Sequence, residues 1–500
     1  MKQKCYSIFN IIFVFVFILI LLGAILANQT ISFTNSKPLL LILSMLIIIS
    51  LWFLLHRCIS KIKNINFKLE VITVISIFAL IIGIQIVFAF LLQVKPSWDF
   101  GMIYDNAVGY AKMGRQTIIS GYFAMCPNNI FPLYVLAFFY RILALLHLNN
   151  FMAFGIALNI ISIDVSILGM YLIVRKLTNV KTAIFSLAVT LFVSPLFLYT
   201  PIFYTDTLSM PFPIWLLYMY LNVPKDSSTI KKIIIYSLIY SILLFLGFEM
   251  KMTSIIIVIA ILIEETLAKK ILLNKKIYIC IIAFFVTIFG VYSLINDKML
   301  GKFNDDISLP YVHYFMMGTS KISLGNNKYA YGIFNYEDLT YTTSFNTKAE
   351  KITNDKNRLK ERLKSYGVVG SIDFFYKKAI QTFGDGTYFA PEKLNRFPLK
   401  KTCLHNTFLT TGKYFSYYFY FAEGVQLSLL LLLIVSGVTS FWKSDDKSNI
   451  IRVAIFGMLL FLLLWETRSR YLVNYIPILI IGAVIGFSDI YEYLERKKII

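Results

Sequence analysis

Cysteine, histidine and acidic side chains are scarce in this chain of 500 residues, which contains only 5 Cys, 4 His and 27 Asp plus Glu. The cysteines show no C-x-x-C spacing and have no partner histidine, so the usual ligand set of a zinc site is missing. No P-loop or GxGxxG motif follows a strand, which argues against a site for ATP or a nucleotide sugar. The sequence therefore predicts no cofactor and offers no convincing ligand set for a metal, although dependence on a divalent metal stays open.

Apolar and basic residues dominate instead. Hydrophobic residues make up 58% of the chain and aromatic residues 16%, whereas soluble domains are nearer to half apolar. The 48 Lys and Arg residues give a net charge of +21. They form short clusters between apolar segments, as the positive-inside rule requires, and not one basic domain. This distribution predicts an integral membrane protein and argues against a nucleic-acid partner.

Twelve apolar segments approach the roughly 20 residues that a membrane-spanning helix needs. They are Ile8–Ala27, Pro38–His56, Val71–Leu92, Phe151–Val174, Thr182–Tyr199, Leu208–Leu221, Ile233–Phe248, Thr253–Ala268, Ile277–Ile295, Val425–Phe441, Ile450–Trp465 and Tyr471–Phe487. A further apolar window, Phe131–Leu148, contains Arg141 and His147.

This further window decides the topology, because counting it as a span inverts every later loop. If it is a juxtamembrane or re-entrant helix within an outer loop of residues 93–150, basic runs such as Lys231-Lys232, Lys269-Lys270 and Arg496-Lys497-Lys498 become cytoplasmic. The sequence therefore predicts an all-α polytopic protein of the cell membrane with about 12 spans. Both termini are predicted to be cytoplasmic.

The same parity predicts that residues 296–424 form an extracytoplasmic insertion of mixed structure. Apolar residues at helical spacing predict a helix over Thr347–Tyr366 that ends at Gly367. A second, shorter helix is predicted from Ser371 to Thr382. The insertion also contains Cys403, for which a disulfide to Cys126 stays open.

Acidic side chains recur where predicted outer loops meet spans, and ionisable groups at such depths suggest function. Asp99 directly follows the third span beside Trp98, where it could accept a proton or cap a helix. Asp105 lies six positions after Asp99, so in a helix the two side chains are on different faces. Asp206 lies in a tight turn, where it could cap the helix beginning at Leu208 and also lie near the membrane mouth, since the two roles are compatible.

Cations occupy two further outer turns. Lys251 either extends to lipid headgroups or binds a lipid phosphate as a point charge. Glu466, Arg468 and Arg470 lie within five residues, and the guanidinium fork matches phosphate oxygens, although a self-satisfied Glu–Arg pair is the alternative. His313, early in the insertion, is a lone histidine, and such residues are usually structural.

The order of these features resembles the GT-C superfamily of glycosyltransferases that use polyprenyl-phosphate sugars, particularly its protein O-mannosyltransferase and aminoarabinose-transferase branch. Asp99 takes the place of the Asp in an Asp-Glu pair on the first outer loop, whereas Phe100 replaces the Glu. Tyr110 follows, and Cys126-Pro127-Asn128-Asn129 resembles the Pro-containing motif. The turn Thr205-Asp206 resembles the acidic second outer loop.

The resemblance implies a seven-span catalytic module over residues 71–295, preceded by a two-span addition over residues 1–70. Residues 425–500 would then form a three-span C-terminal bundle. The implied activity is inverting transfer of a sugar from an undecaprenyl-phosphate-type donor. The acceptor would be a hydroxyl of an envelope glycan or polysaccharide, a teichoic acid, a lipid or a protein, at the outer face.

The resemblance also implies roles for the outer-face residues. Asp99 would deprotonate the acceptor, with Asp206 and Asp105 as further acidic candidates. Lys251, Arg468 and Arg470, beside Glu466, would stabilise charge on the departing lipid phosphate.

Two other functions stay open from the sequence: a transporter or flippase, and a polysaccharide polymerase or ligase. Transporters often contain internal repeats and broken helices near mid-membrane. No repeat is evident in this sequence, and its ionisable residues gather on one face.

Overall fold

The computed structural model describes residues 2–26, 36–113, 121–224, 229–268, 275–300, 305–325, 328–443 and 446–498. The α-helices of the first half are Lys2–Leu26 (α1), Pro38–Ser60 (α2), Phe67–Leu91 (α3), Trp98–Met113 (α4), Gly121–Met125 (α5), Ile130–Leu145 (α6), Phe151–Leu177 (α7), Val180–Thr190 (α8), Pro195–Leu198 (α9), Thr205–Leu208 (α10) and Pro211–Leu221 (α11). Those of the second half are Ile230–Met250 (α12), Ile255–Leu267 (α13), Lys275–Leu300 (α14), Tyr311–Met317 (α15), Tyr336–Thr343 (α16), Lys348–Phe383 (α17), Ala390–Leu394 (α18), His405–Phe408 (α19), Phe415–Thr439 (α20), Asn449–Leu464 (α21) and Ile476–Arg496 (α22).

Long apolar helices confirm the predicted fold class, a nearly all-α polytopic membrane protein. Within the described residues, nine helices are long and apolar enough to cross a membrane, and α8 and α21 are shorter apolar helices. The only strands described, Lys321–Gly325 (β1) and Lys328–Tyr331 (β2), pair as an antiparallel hairpin in the insertion.

The spanning helices divide into central and peripheral ones. The most apolar window of Ser469–Arg496 is 94% buried within the protein, and that of Phe415–Trp442 is 78% buried. In contrast, the windows of α3 and of Lys275–Leu294 are 17% and 6% buried. A helix that is apolar all round and uncovered by protein faces lipid, so α20 and α22 form the centre of a bundle whose periphery includes α3 and α14.

The apolar segments Thr182–Tyr199 and Leu208–Leu221 differ from the predicted continuous spans. Helix α8 ends at Thr190, and the chain passes through the single turns α9 and α10 before α11 begins at Pro211. Proline at positions 195, 201 and 211 explains the interruptions, because proline removes a backbone donor and clashes with the preceding turn. The residues of this irregular stretch are buried in the protein, so their backbone groups are shielded from lipid.

The window Phe131–Leu148 is helical as α6, which packs against α4. Together with the preceding turn it forms a helix, Pro127–Leu145, that is long and apolar enough to span. Its placement in the outer interface therefore stays a prediction, as does the orientation of the termini. The basic pair Lys269-Lys270 lies outside the described residues.

The insertion contains the helix that its sequence indicates. Thr347 caps α17 in a capping box with Glu350. Only Gly367 interrupts α17, with φ 65° and ψ −174°, where the sequence predicts the boundary between two helices. The half of α17 after this kink packs on α1, where a Cβ on Gly23 would lie 2.3 Å from Ile380 Cδ1.

The first two helices pack within the bundle. Helices α1 and α2 both contact the central helix α20, and α2 also contacts α8. The division into an N-terminal addition, a seven-span module and a C-terminal bundle stays a prediction. All five cysteines are free, so the Cys126–Cys403 disulfide is absent from this structure.

The predicted topology can be tested by cysteine labelling in a variant whose five native cysteines are replaced by serine. Ser344→Cys, exposed in the insertion, should react with a membrane-impermeant maleimide on intact cells. Asn64→Cys, exposed between α2 and α3, should react only after permeabilisation. Reversed labelling would contradict the proposed sidedness.

Candidate functional site

One large cavity collects most of the predicted site residues. It has a volume of about 1020 Å³ and lies among the ends of α4, α12 and α21 and the insertion. Its lining includes the predicted residues Asp99, Asn128, Lys251, His313, Glu466, Arg468 and Arg470. Side chains from distant parts of the chain therefore share one space, which is typical of a binding or catalytic site.

Asp99 belongs to a hydrogen-bonded network on one wall of this cavity. Tyr122 donates its hydroxyl to Asp99 Oδ1 over 2.8 Å, and Asn129 Nδ2 donates to Tyr122 Oη over 2.6 Å. Tyr204 in turn donates to Asn129 Oδ1 over 3.3 Å. The sequence did not predict Tyr122 or Asn129 as site residues. The network fixes the direction of the Asp99 carboxylate while leaving it half-buried at the cavity.

Asp206 lies behind the cavity wall with only 1% of its surface exposed. Lys251 Nζ donates to Asp206 Oδ1 over 2.7 Å, and Arg470 Nη1 lies 3.8 Å from Oδ2. Burial alone would raise the pKa of Asp206, but Lys251 and Arg470 outweigh it and hold this pKa below its usual value. Through these contacts Asp206 joins the three charged turns that the sequence singles out.

The turn that follows α21 is held by Lys378 of α17. Lys378 Nζ donates to the carbonyl oxygens of Gly318, Leu463 and Trp465 over 2.6, 2.8 and 2.7 Å. Two of these carbonyls belong to the end of α21, where a cation also interacts favourably with the helix dipole. This contact positions Glu466 and Arg468 at the cavity.

Glu466 differs from Asp206 in its electrostatic environment. It is buried, and Tyr471 donates to its Oε1 over 3.1 Å. Burial raises the pKa of Glu466 despite the nearby Arg470 and Arg468. A self-satisfied Glu466–Arg pair is not formed, because no ion pair joins Glu466 to either arginine in the described part of the chain.

The insertion contributes cations that the sequence does not single out, and two of them lie at or just after α18. Lys393 and Arg396 follow Pro391, the second residue of the short helix α18. Lys393 is buried with Nζ 5.3 Å from the centre of the Tyr204 ring, and Arg396 lines the cavity. The sequence signal for these two residues was their position just after an Ala-Pro pair that can start a helix. That signal is weak, because cations in a polar segment are usually solvated.

His313 lies in the cavity wall and is 1% exposed. Its Nδ1 lies 2.7 Å from Thr342 Oγ1, and Thr342 donates to Asp355 Oδ1 over 2.8 Å. Because the single hydroxyl proton of Thr342 is directed at Asp355, His313 Nδ1 must donate to Thr342. Burial lowers the pKa of His313 to about 4, so its ring is neutral and Nε2 retains its lone pair.

Three sequence candidates lie elsewhere or contribute less. Asp105 and Tyr110 are on α4 but do not line the cavity, and Asp105 is exposed. Asn128 lines the cavity as an exposed residue, whereas its neighbour Asn129 makes the hydrogen bonds. Within the described residues, no group of three or more His, Cys, Asp and Glu side chains could hold a metal ion.

The fold and the cavity together define a polytopic α-helical membrane protein with a charged site at the helix ends. A protein-family model described as conserved hypothetical integral membrane protein matches residues 1–490. The chain therefore belongs to that family of integral membrane proteins. No curated protein and no solved structure matches the chain.

The buried pair of Asp206 and Lys251 should show strong coupling. Asp206→Asn leaves two cations near each other without their carboxylate, and it should lower the free energy of unfolding by about 3–5 kcal/mol. Lys251→Met should be similarly destabilising. The double variant should recover a large part of the loss, measured by thermal unfolding of the purified protein in detergent. Additive losses would show that the pair is not energetically coupled.

Proposed function

We propose that the protein is a membrane glycosyltransferase that moves a sugar from a polyprenyl-phosphate donor to an acceptor hydroxyl. The observation that carries the proposal is the shared cavity, in which the oriented carboxylate of Asp99 and the guanidinium groups of Arg468 and Arg470 lie together. Such a site needs a proton acceptor for the hydroxyl and positive charge for the departing phosphate. The resemblance of the motifs to the GT-C superfamily supports the same activity.

Asp99 is suited to the role of general base. Its Oδ1 accepts a hydrogen bond from Tyr122, which fixes the carboxylate, and the carboxylate is accessible from the cavity. Attack of the deprotonated hydroxyl on the anomeric carbon, opposite the leaving phosphate, inverts the configuration at that carbon. Asp206 is unsuited to the role, because it is buried and ion-paired with Lys251.

The cavity is also suited to a lipid-linked substrate. Trp465, at the end of the apolar helix α21, stacks with Phe461 and Tyr314 at ring-centre distances of 5.4 and 4.8 Å. All three residues line the cavity. Apolar aromatic surface beside charged groups fits a donor with a hydrocarbon chain and a phosphate. The proposed acceptor is a hydroxyl of an envelope glycan, teichoic acid, lipid or protein.

A transporter is the second candidate, because the interrupted stretch from α8 to α11 lies directly beside the site. Discontinuous helices that surround a substrate site are a feature of secondary transporters. However, transport alone gives no reason for an oriented carboxylate and guanidinium groups that line the same cavity.

The two functions can be separated with purified protein in detergent micelles, where transport has no measurable consequence. We expect transfer of a radiolabelled sugar from polyprenyl phosphate to an acceptor fraction from the envelope. Consumption of donor without a glycosylated product would indicate hydrolysis. Uptake of the same donor into proteoliposomes without any transfer would favour the transporter.

Asp99→Asn should lower single-turnover sugar transfer by roughly 10²- to 10⁴-fold, because the amide cannot accept the hydroxyl proton. Donor binding should persist, since the cations lie on other segments. Asp105→Asn is the matched control on the same helix, and it should have little effect because Asp105 is exposed outside the cavity. Both variants need to be checked for membrane insertion. Full activity of Asp99→Asn would disprove the proposed mechanism.

A further inference from the structure

The cations at the cavity fall into two groups. Lys251 and Arg470 share the carboxylate of Asp206, and Lys348 at the rim lies 2.7 Å from Asp305. Arg396 and Arg468 line the same cavity but make no hydrogen bond or ion pair within the residues that the structure describes. Two half-buried guanidinium groups therefore face one space without an ion pair among the described residues, and carboxylates act on them only at longer range, Glu466 and Glu392 on Arg468 and Asp99 on Arg396.

Both unpaired arginines lie against aromatic rings. The Arg396 guanidinium is 5.2 Å from the centre of the Trp98 ring, and that of Arg468 is 4.5 Å from the centre of the Phe389 ring. A cation–π contact orients the flat guanidinium without neutralising its charge, and the N–H groups at its edge stay available for an anion.

The two aromatic residues share an uncommon backbone conformation. Trp98 has φ 55° and Phe389 has φ 61°, in the left-handed region that bulky side chains rarely adopt. Strained residues of this kind persist where surrounding structure imposes them, and they cluster at ligand sites. The fold therefore maintains a costly conformation at each of the residues on which the unpaired arginines lie.

Electrostatic repulsion between the cations at the cavity also indicates a site for an anion. Burial and the neighbouring Arg470 and Arg468 lower the pKa of Arg396. Burial and Arg470 likewise lower the pKa of Arg468, although Glu466 opposes the shift. A bound anion would relieve the repulsion, whereas Lys251 already has its counter-charge.

We propose that Arg396 and Arg468 form a two-guanidinium clamp that binds the phosphate of the lipid-linked substrate, an assignment that rests on the proposed function for the identity of the ligand. Guanidinium groups bind phosphate oxygens in a bidentate manner, and two of them can hold one phosphate from separate directions. Lys251 and Arg470 then maintain the position of Asp206 and the adjoining turns.

The clamp favours the products of the reaction. In the donor, the phosphate is esterified to both sugar and lipid and carries one negative charge. When the bond between the anomeric carbon and the phosphate oxygen breaks, its electron pair stays on that oxygen. The acceptor oxygen forms the new bond to carbon, and its proton passes to Asp99. The released lipid phosphate is a monoester with nearly two charges, so two cations bind it more strongly than the donor.

The clamp can be tested by calorimetric titration of the full-length protein in detergent with farnesyl phosphate. Arg396→Gln and Arg468→Gln should each lower the affinity by about 10- to 100-fold, whereas binding of farnesol should not change. Lys400→Gln is the matched control, because Lys400 is an exposed cation four residues from Arg396 and does not line the cavity. Wild-type affinity in both Gln variants, or no binding by the wild type, overturns the proposal.

Two further measurements distinguish the clamp from a folding defect and from a site for free phosphate. If a Gln variant is unfolded, as judged by thermal unfolding, the corresponding Arg→Lys variant is used to test the clamp. Lysine keeps the positive charge but lacks the two-pronged guanidinium geometry that binds phosphate. A Lys variant with wild-type affinity then overturns the clamp, and weakened binding supports it. Displacement of farnesyl phosphate by inorganic phosphate at equal concentration would identify free phosphate as the ligand and overturn the lipid assignment.

The outcomes separate the clamp from the proposed function. Loss of farnesyl phosphate binding in the arginine variants, with no sugar transfer by the wild type, would support the phosphate site and disprove glycosyl transfer. Sugar transfer by the wild type with undiminished farnesyl phosphate binding in the variants would support the enzyme and overturn the clamp.

Discussion

The burial of Asp206 is the constraint on which the arrangement of the charged turns around the cavity depends. A carboxylate with 1% exposure is stable as an anion only where cations surround it. Those cations come from the end of α12 and from the turn before α22, so one charge fixes the relative positions of three distant segments. The irregular backbone from α9 to α10 is then explained, because it delivers Asp206 to this point between prolines instead of continuing a helix.

The insertion completes the site and is not an independent appendage. The second half of α17 packs on α1, and Lys378 binds carbonyl groups at the end of α21. Through these contacts the insertion orients the turn that contains Arg468, and through α18 it supplies Arg396. A cavity assembled from helix ends and from the insertion can exclude water from a charged site more completely than helix ends alone.

The fold and the charged turns could be predicted from sequence to different extents. Most spans were recognisable because bilayer thickness sets their length, and the α17 capping box and Gly367 kink were visible as local patterns. Lys251, Arg468 and Arg470 stood out because charges at span ends are costly. Arg396 did not, because one more cation in a polar segment carries no such signal, and only the tertiary fold brings it beside Trp98. The interrupted α8–α11 stretch was missed because its composition is that of a span.

The contrast between paired and unpaired arginines connects this architecture to chemistry. Arg470 gains a fixed position from Asp206, but the same carboxylate reduces the field that it can offer to a ligand. Arg396 and Arg468 are oriented by ring faces, which restrict a planar cation without cancelling its charge. A site that must stabilise growing negative charge needs cations that are oriented but not neutralised, and that are held in place before the ligand binds. The strained conformations of Trp98 and Phe389 are then understandable as the cost of placing two rings, and with them two available charges, at one cavity.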